Sequence, residues 1–341
     1  MKKVLIVNVN WLGDAILTTP VFKALKKQLS FCHLACMCTP RVKEVFEDNP
    51  YVDEVIIFDE KTIQSNIIKK IKFISWLKKK KFDTVFLIHR SFTRAFICYL
   101  AGIKRRIGYQ RFKNSLVLTE KIRKPPASIH RQQYYLHLFK AVGVSFYDES
   151  PEFFIKDSIL NKTKELLSPI YKDHAFLIGI NPSANWALKR WPADYYAKLA
   201  DKLTKDLNAA IIFIGAQKDK TIVEKVIKSM KEKPYDFTGK TTLKELGAIL
   251  SQLNLFISND SGPAHLAASL GVNTLVIFGP TSAEITAPKG KTVTILKKEI
   301  NCSLPCYNLE CQDNICLTKI TPEEVYIKIE ALLADVKKNN Y

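Results

Sequence analysis

Short apolar runs alternate with helically spaced apolar positions from the start of the chain. Val4-Leu5-Ile6-Val7 has the length and composition of a buried parallel strand. Trp11-Leu12-Gly13-Asp14 turns it into a helix that carries Ile16, Phe22, Leu25 and Leu29 on one side. Strands are expected at 34–38, 54–58 and 84–88, with helices near 41–47, 62–80, 92–100 and 130–142. In helix 62–80 the spacing places Ile63, Ile67, Ile71, Ile74 and Leu77 on one stripe, expected to face the core. Lys69, Lys72, Lys79 and Lys80 fall opposite, with Trp76 among them. The rhythm breaks over 145–172, where Ser150-Pro151 and Ser168-Pro169 sit in mixed polar sequence, and a domain boundary is expected there. A second alternation follows. Its strands are 176–180, 210–214, 255–258, 274–278 and 293–296; its helices lie near 192–206, 218–231, 242–251 and 262–270. A last helix, 322–338, opens at Thr321-Pro322-Glu323-Glu324, a favourable helix start. The pattern predicts an α/β fold with two doubly wound parallel sheets. The domains are expected at 1–157 and 158–321, with 322–341 a C-terminal helix packing back on the N-terminal domain.

The 341 residues are 47% hydrophobic and 25% charged, which argues against a mainly disordered chain. No apolar run reaches the 18 residues of a membrane span, and Asn8, Asn10 and Asp14 interrupt any leader-like segment. A cytoplasmic protein is expected. The net charge of +19 is uneven: residues 1–157 hold 28 Lys and Arg against 14 Asp and Glu. Within 61–131 the count is 19 to 2. Such a field suits an anionic substrate, an anionic membrane or nucleic acid.

Ligands of open α/β sheets bind beyond the carboxyl ends of the strands. Two segments stand there. In the first, Gly13 permits a tight turn or a close approach to ligand, and Asp14 either caps a helix or faces the crevice. The second is Ser258-Asn259-Asp260-Ser261-Gly262-Pro263-Ala264-His265. It follows a strand and opens a helix whose free N–H groups suit a diphosphate. It carries neither a Walker pattern nor Gly-x-Gly-x-x-Gly, so neither an ATPase nor a standard dinucleotide site follows. Lys189, in Lys189-Arg190-Trp191-Pro192, is either a phosphate ligand or a solvated lysine. Asp219 suits ribose hydroxyls or a cap. Thr242 and Glu245 fit a capping box beside Thr241. Cys32, Cys36, Cys38 and Cys98 read as small buried hydrophobes. Cys302, Cys306, Cys311 and Cys316 are spaced too irregularly for a zinc knuckle; loop packing and a metal or redox role both stay open.

Together, Asn10–Asp14 with Thr18-Thr19-Pro20, Lys189–Pro192, Ser258–His265 and Phe278-Gly279-Pro280-Thr281 resemble glycosyltransferase family 9, the ADP-heptose:lipopolysaccharide heptosyltransferases. The cysteine-rich tail resembles the second-heptose branch. The resemblance covers residues 4 to about 330. It implies a GT-B architecture, two Rossmann-like domains facing a central cleft, and an inverting, metal-independent transfer with no cofactor. It implies Asp14 as catalytic base, with Gly13 on the acceptor side. Asn185, Lys189, Asp219, Thr241, Asp260, Ser261, Gly262 and His265 would bind the donor, ADP-heptose. The partners implied are a nucleotide-sugar donor, an anionic lipopolysaccharide core acceptor and the inner membrane surface, at the cytoplasmic face of which the enzyme would sit peripherally. No nucleic acid is expected. A transferase using another nucleotide sugar, and a non-catalytic nucleotide- or nucleic-acid-binding protein, are the alternatives.

Overall fold

The computed structural model describes residues 2–306, 308 and 310–339. The chain divides into two compact units, Met1–Phe154 and Ile155–Tyr341.

The first unit holds strands β1 (Lys3–Val7), β2 (His33–Cys38), β3 (Glu54–Ile57), β4 (Thr84–Leu87), β5 (Arg105–Tyr109) and β6 (Glu120–Ile122). All pairings are parallel, in the order β3-β2-β1-β4-β5-β6. The second unit holds β7 (Phe176–Asn181), β8 (Ala209–Phe213), β9 (Tyr235–Asp236), β10 (Leu255–Asn259), β11 (Thr274–Ile277) and β12 (Val293–Leu296). Its order, β12-β11-β10-β7-β8-β9, repeats the first topology strand for strand. Strand order reverses between β1 and β4, and again between β7 and β10. These are the two switch points where a doubly wound sheet opens a crevice.

Burial on both faces explains why the central strands read as continuous apolar runs. Leu5, Val7, Val85 and Leu87 share one core with Phe58 and Leu77. Ile178, Ile180, Ile257 and Leu275 share another with Trp191 and Tyr196. Truncating one such residue, as in Leu5→Ala, costs about 2–5 kcal/mol by lost transfer and a residual cavity.

Several expectations are corrected. Helix 62–80 is two helices, Glu60–Gln64 and Ile67–Lys79. Asn66 breaks them: its side chain accepts from Ile68 N at 2.7 Å and starts the second helix. The expected inward stripe fails at its first half, where Ile67 and Ile71 are exposed. Only Ile63, Phe73, Ile74 and Leu77 reach the core. Strands β5, β6 and β9 were not foreseen. The stretch expected to be irregular up to 172 contains a 17-residue helix, Asp157–Asp173. Pro169 lies near its end, where it removes one backbone hydrogen bond, and Thr163, Leu167 and Ile170 bury one face. The C-terminal helix, Pro322–Asn339, belongs to the core of the second unit through Val325, Tyr326, Ile329 and Leu333, packed beside Ala193–Leu207.

Candidate active site

At the first switch point, Asn8 directly follows β1 and is fully buried. Its amide donates to Thr18 Oγ1 at 2.9 Å, and its Oδ1 accepts from Val9 N at 2.7 Å. That pins the strand to the far end of the Leu12–Leu17 helix. Gly13 is buried in the first turn of that helix and is not among the positive-φ glycines, so no tight left-handed turn forms there. Asp14 occupies the third helical position, behind an N-cap at Trp11, so it is not the cap. Arg131 Nε lies 4.0 Å from Asp14 Oδ1, with the two side chains 33% and 27% exposed. The buried Tyr135 side chain also faces the Asp14 carboxylate. Burial and this carboxylate push the tyrosine well above its ordinary value, which keeps it a donor.

Behind the loop stands Arg94, fully buried in the Phe92–Leu100 helix. It donates to Asn8 O at 3.0 Å, Asn10 Oδ1 at 2.9 Å and Glu60 Oε1 at 2.8 Å. The Phe58 ring lies 5.0 Å from its guanidinium carbon. His89, just after β4, is held down to about 4, first by burial and then by the Arg94 charge. Arg41 stacks over the half-exposed Trp11 at 4.6 Å. The carboxyl edge of this sheet therefore sets the Asp14 carboxylate near several cationic groups, of which Arg94 is paired with Glu60.

At the second switch point, Asn181 Nδ2 donates to Ser261 Oγ at 3.0 Å, and Ser261 Oγ lies 2.9 Å from Ser258 Oγ. This draws the Ser261 hydroxyl away from the helix it precedes. The Gly262–Ser269 helix consequently has no side-chain cap at Ser261, and Pro263 stands in its first turn. Its leading N–H groups are the ones an anion would meet. Asp260 is buried; Lys189 Nζ reaches its Oδ2 at 2.6 Å and Thr281 Oγ1 donates to the same oxygen at 2.7 Å. Lys189 is thus a partly buried ion-pair member, not a solvated loop lysine. Its loop is anchored by Trp191, whose N donates to Asn259 Oδ1 at 2.9 Å and whose Nε1 donates to Ile320 O at 2.8 Å. His265 is buried on the same helix.

Asp219 is engaged twice: Ser183 Oγ donates to Oδ1 at 2.5 Å, and Ala216 N donates to Oδ2 at 2.9 Å. It closes the turn after β8. Asn185 is exposed and accepts from Lys218 Nζ. Thr241 precedes the Leu243–Leu250 helix, whose start is the expected capping box: Glu245 N donates to Thr242 Oγ1 at 3.2 Å and Thr242 N to Glu245 Oε2 at 2.9 Å. The structure thus groups Asp14 with Gly13 in the first unit. It groups Asp260, Ser261, Gly262, His265 and Lys189 in the second, with Asp219, Asn185 and Thr241 on neighbouring loops.

Sequence reasoning missed Arg94, Arg131 and Tyr135. Arg131 and Tyr135 stand four apart on one helix face, a signal that was present but pointed to no partner.

Cys32, Cys36, Cys38 and Cys98 are buried thiols. Cys316 and Leu317 enter the second core, while Cys306 N donates to Pro280 O at 2.7 Å, so the segment packs over Gly279-Pro280. Burial first, with the neighbouring cysteines, raises Cys316 to about 11. Among the described residues no group of three or more His, Cys, Asp or Glu is arranged to hold a metal ion, and no helix is long and apolar enough to cross a membrane.

The sequence is 24% identical over 329 residues to a lipooligosaccharide heptosyltransferase 2 of Campylobacter jejuni, covering 94% of this chain and 96% of that one. The fold superposes on a glycosyl transferase family 9 protein from Veillonella parvula with a TM-score of 0.88, 27% identity and 98% of each chain covered. It superposes on the ADP-heptose lps heptosyltransferase II of E. coli with a TM-score of 0.83 and 20% identity, over 99% of this chain and 100% of that one. The pair of Rossmann-ordered α/β domains is that of the GT-B heptosyltransferase structures. The model of glycosyltransferase family 9 (heptosyltransferase) matches residues 70–315, well over half of the chain, and the protein belongs to that family.

Proposed function

We propose that this glycosyltransferase moves heptose from ADP-heptose to the inner core of a lipopolysaccharide, at the cytoplasmic face of the inner membrane, with inversion and without a metal ion. The observation that carries the reading is the setting of Asp14. It stands at a switch point, partly exposed, with the buried Tyr135 and Arg131 alongside.

Inverting transfer needs one base to take the proton of the attacking hydroxyl. Asp14 supplies it. Tyr135 and Arg131 fix the carboxylate's direction while one side stays open to the acceptor. The cationic edge around it, with Arg41 and Arg131, suits a core bearing carboxylates and phosphates. The leaving ADP develops charge on its β-phosphate. Lys189 and the uncapped start of the Gly262–Ser269 helix neutralise that charge with fixed donors. Asp260 holds Lys189 in place, and on donor binding the ammonium is shared between Asp260 and phosphate. Asn185 is assigned to the phosphate side, Asp219 and Thr241 to the nucleoside, and His265 to the sugar.

The test is ADP release from a panel of nucleotide sugars with a defined acceptor, followed by mass spectrometry and NMR of the product. ADP-heptose should turn over only with acceptor present, with the opposite anomeric configuration in the product, and chelator should leave the rate unchanged. Turnover of another nucleotide sugar in its place would move the donor assignment. Retained configuration would remove the single-base mechanism.

A further inference from the structure

The Ile67–Lys79 helix has three large aliphatic side chains pointing to solvent, Ile67, Ile68 and Ile71, with Ile67 64% exposed. The Phe92–Leu100 helix packs beside it and exposes Phe96, Tyr99 and Leu100. The short turn Asn114–Leu116 packs against that second helix, and with the preceding loop it leaves Phe112 93% and Leu116 81% exposed. Single exposed apolar residues are ordinary; three adjoining elements that each expose several mark an interaction site.

The charge around these residues selects the partner. Residues 61–81 contain eight lysines and no acidic residue. Lys69, Lys70 and Lys72 alternate with the exposed isoleucines, and Arg111 and Lys113 flank Phe112. Lys80 lies over the Trp76 ring at 5.0 Å and Arg106 over Tyr99 at 5.3 Å, so two amphipathic rings carry cations at the edge of the patch. Protein interfaces are depleted in lysine, and nucleic acid has no use for a row of isoleucines. An interface of acyl chains and anionic headgroups uses both: apolar side chains insert shallowly while lysine stems snorkel to the charge.

We propose that the face formed by the Ile67–Lys79 helix, the Phe92–Leu100 helix and residues 111–116 docks the enzyme on an anionic phospholipid bilayer. This rests on the functional reading above and names the surface it requires. The Phe92–Leu100 helix follows β4, at the same carboxyl edge as Asp14, and the Ile67–Lys79 helix follows β3 after the short Glu60–Gln64 helix. Arg94, in the first turn of the second helix, is bonded directly to Asn10 and Glu60. A bilayer held there would deliver a lipid-linked acceptor beside the Asn10–Asp14 loop.

The full-length protein is sedimented with vesicles of phosphatidylglycerol mixed with phosphatidylcholine, and with phosphatidylcholine alone. Binding is expected to the anionic vesicles only, and to weaken with salt. The triple variant Lys69→Glu, Lys70→Glu, Lys72→Glu should lose about a hundredfold in partitioning, at about fivefold per lysine removed. Ile67→Ser with Ile68→Ser and Ile71→Ser should lose about tenfold or more. Phe112→Ser, on an exposed loop, gives a third variant independent of helix stability. Melting temperatures identify any variant that fails to fold. A control exchange, Lys225→Glu with Lys228→Glu in the second unit, should leave binding unchanged.

Equal binding to neutral vesicles overturns the proposal, as do patch variants that bind like the parent. Self-association of the parent that the isoleucine variant abolishes, without vesicle binding, also overturns it and assigns the patch to a second copy. Turnover of a deacylated, soluble acceptor should be equal in the parent and in all three patch variants. If that turnover is present and vesicle binding absent, docking fails and the functional reading stands. If vesicles bind and no heptose is transferred to any acceptor, the functional reading fails.

Discussion

Replacing Arg94 with Met should loosen the loop that carries Asp14, and its size follows from the bonds lost. The guanidinium makes three hydrogen bonds, to Asn8 O, Asn10 Oδ1 and Glu60 Oε1. The first two acceptors lie at the loop and lose a charged donor, at about 1.5–3 kcal/mol each. Glu60 is 40% exposed and rehydrates, so its share is about 0–1 kcal/mol. The total is roughly 3–7 kcal/mol. At about 2–4 °C per kcal/mol for a domain of this size, the first unit should melt roughly 6–28 °C lower. The same loop positions Asp14, and a displacement of about 1 Å costs on the order of 10²-fold in rate. ADP affinity, assigned above to the other unit, should not change. Calorimetric melting and turnover well below the new transition measure the two effects separately. Arg94→Lys keeps the charge without the fork and should fall between. If Arg94→Met melts with the parent and turns over at the parent rate, Arg94 is not what positions the loop.

Asp14→Asn should lower turnover by ~10²-fold or more while ADP binding holds; parent-like turnover would leave Asp14 without the role of base. Lys189→Ala removes the proposed phosphate contact and the Asp260 ion pair, leaving the Thr281 hydrogen bond to Asp260, so ADP affinity measured by calorimetry should fall by roughly 1.5–3 kcal/mol, and unchanged affinity would make the ion pair purely structural. His89 is neutral when folded, with a value of about 4 against the ordinary 6.5, so the unfolded chain takes up its proton first as pH falls. Its contribution is intact above pH 6.5 and is lost between 6.5 and about 4, by about 2–3 kcal/mol. His89→Gln should flatten that part of the stability profile in denaturant titrations, and an unaltered slope would refute it.

The fold is legible where burial leaves a run of apolar residues, and not elsewhere. β1, β7 and β10 announce themselves because both faces are covered. β5 begins with Arg105-Arg106, whose side chains are engaged, Arg105 with Glu120 and Arg106 with Val117 O, so a strand presents as a charged loop. β9 is two residues long and below any periodicity. In the Ile67–Lys79 helix Ile74 and Leu77 face the core as expected but Ile67 and Ile71 do not, because spacing fixes which residues share a face and not what covers it. The site divides the same way. Asp14 and the Ser258–His265 segment follow strands directly, so topology places them. Arg94 reaches Asn8 across 86 positions and Lys189 reaches Asp260 across 71, and no local pattern records such a bond.

The parallel order of the first sheet also sets a timetable for synthesis. Among the strands of this sheet β1 is synthesised first, and it ends with a neighbour on each side, because Val4 pairs with Leu34 on one side and with Thr84 on the other. At roughly 5–20 residues per second, the second neighbour arrives about 4–16 seconds after the first strand is made. For that interval Leu5, Ile6 and Val7 stand beside an unpaired edge. The second sheet repeats the wait, since β7 is closed only when β10 pairs with it at Leu255–Ser258. Each half of the nascent chain therefore passes through its own window of exposure to chaperones, and the first has closed its sheet before the second begins.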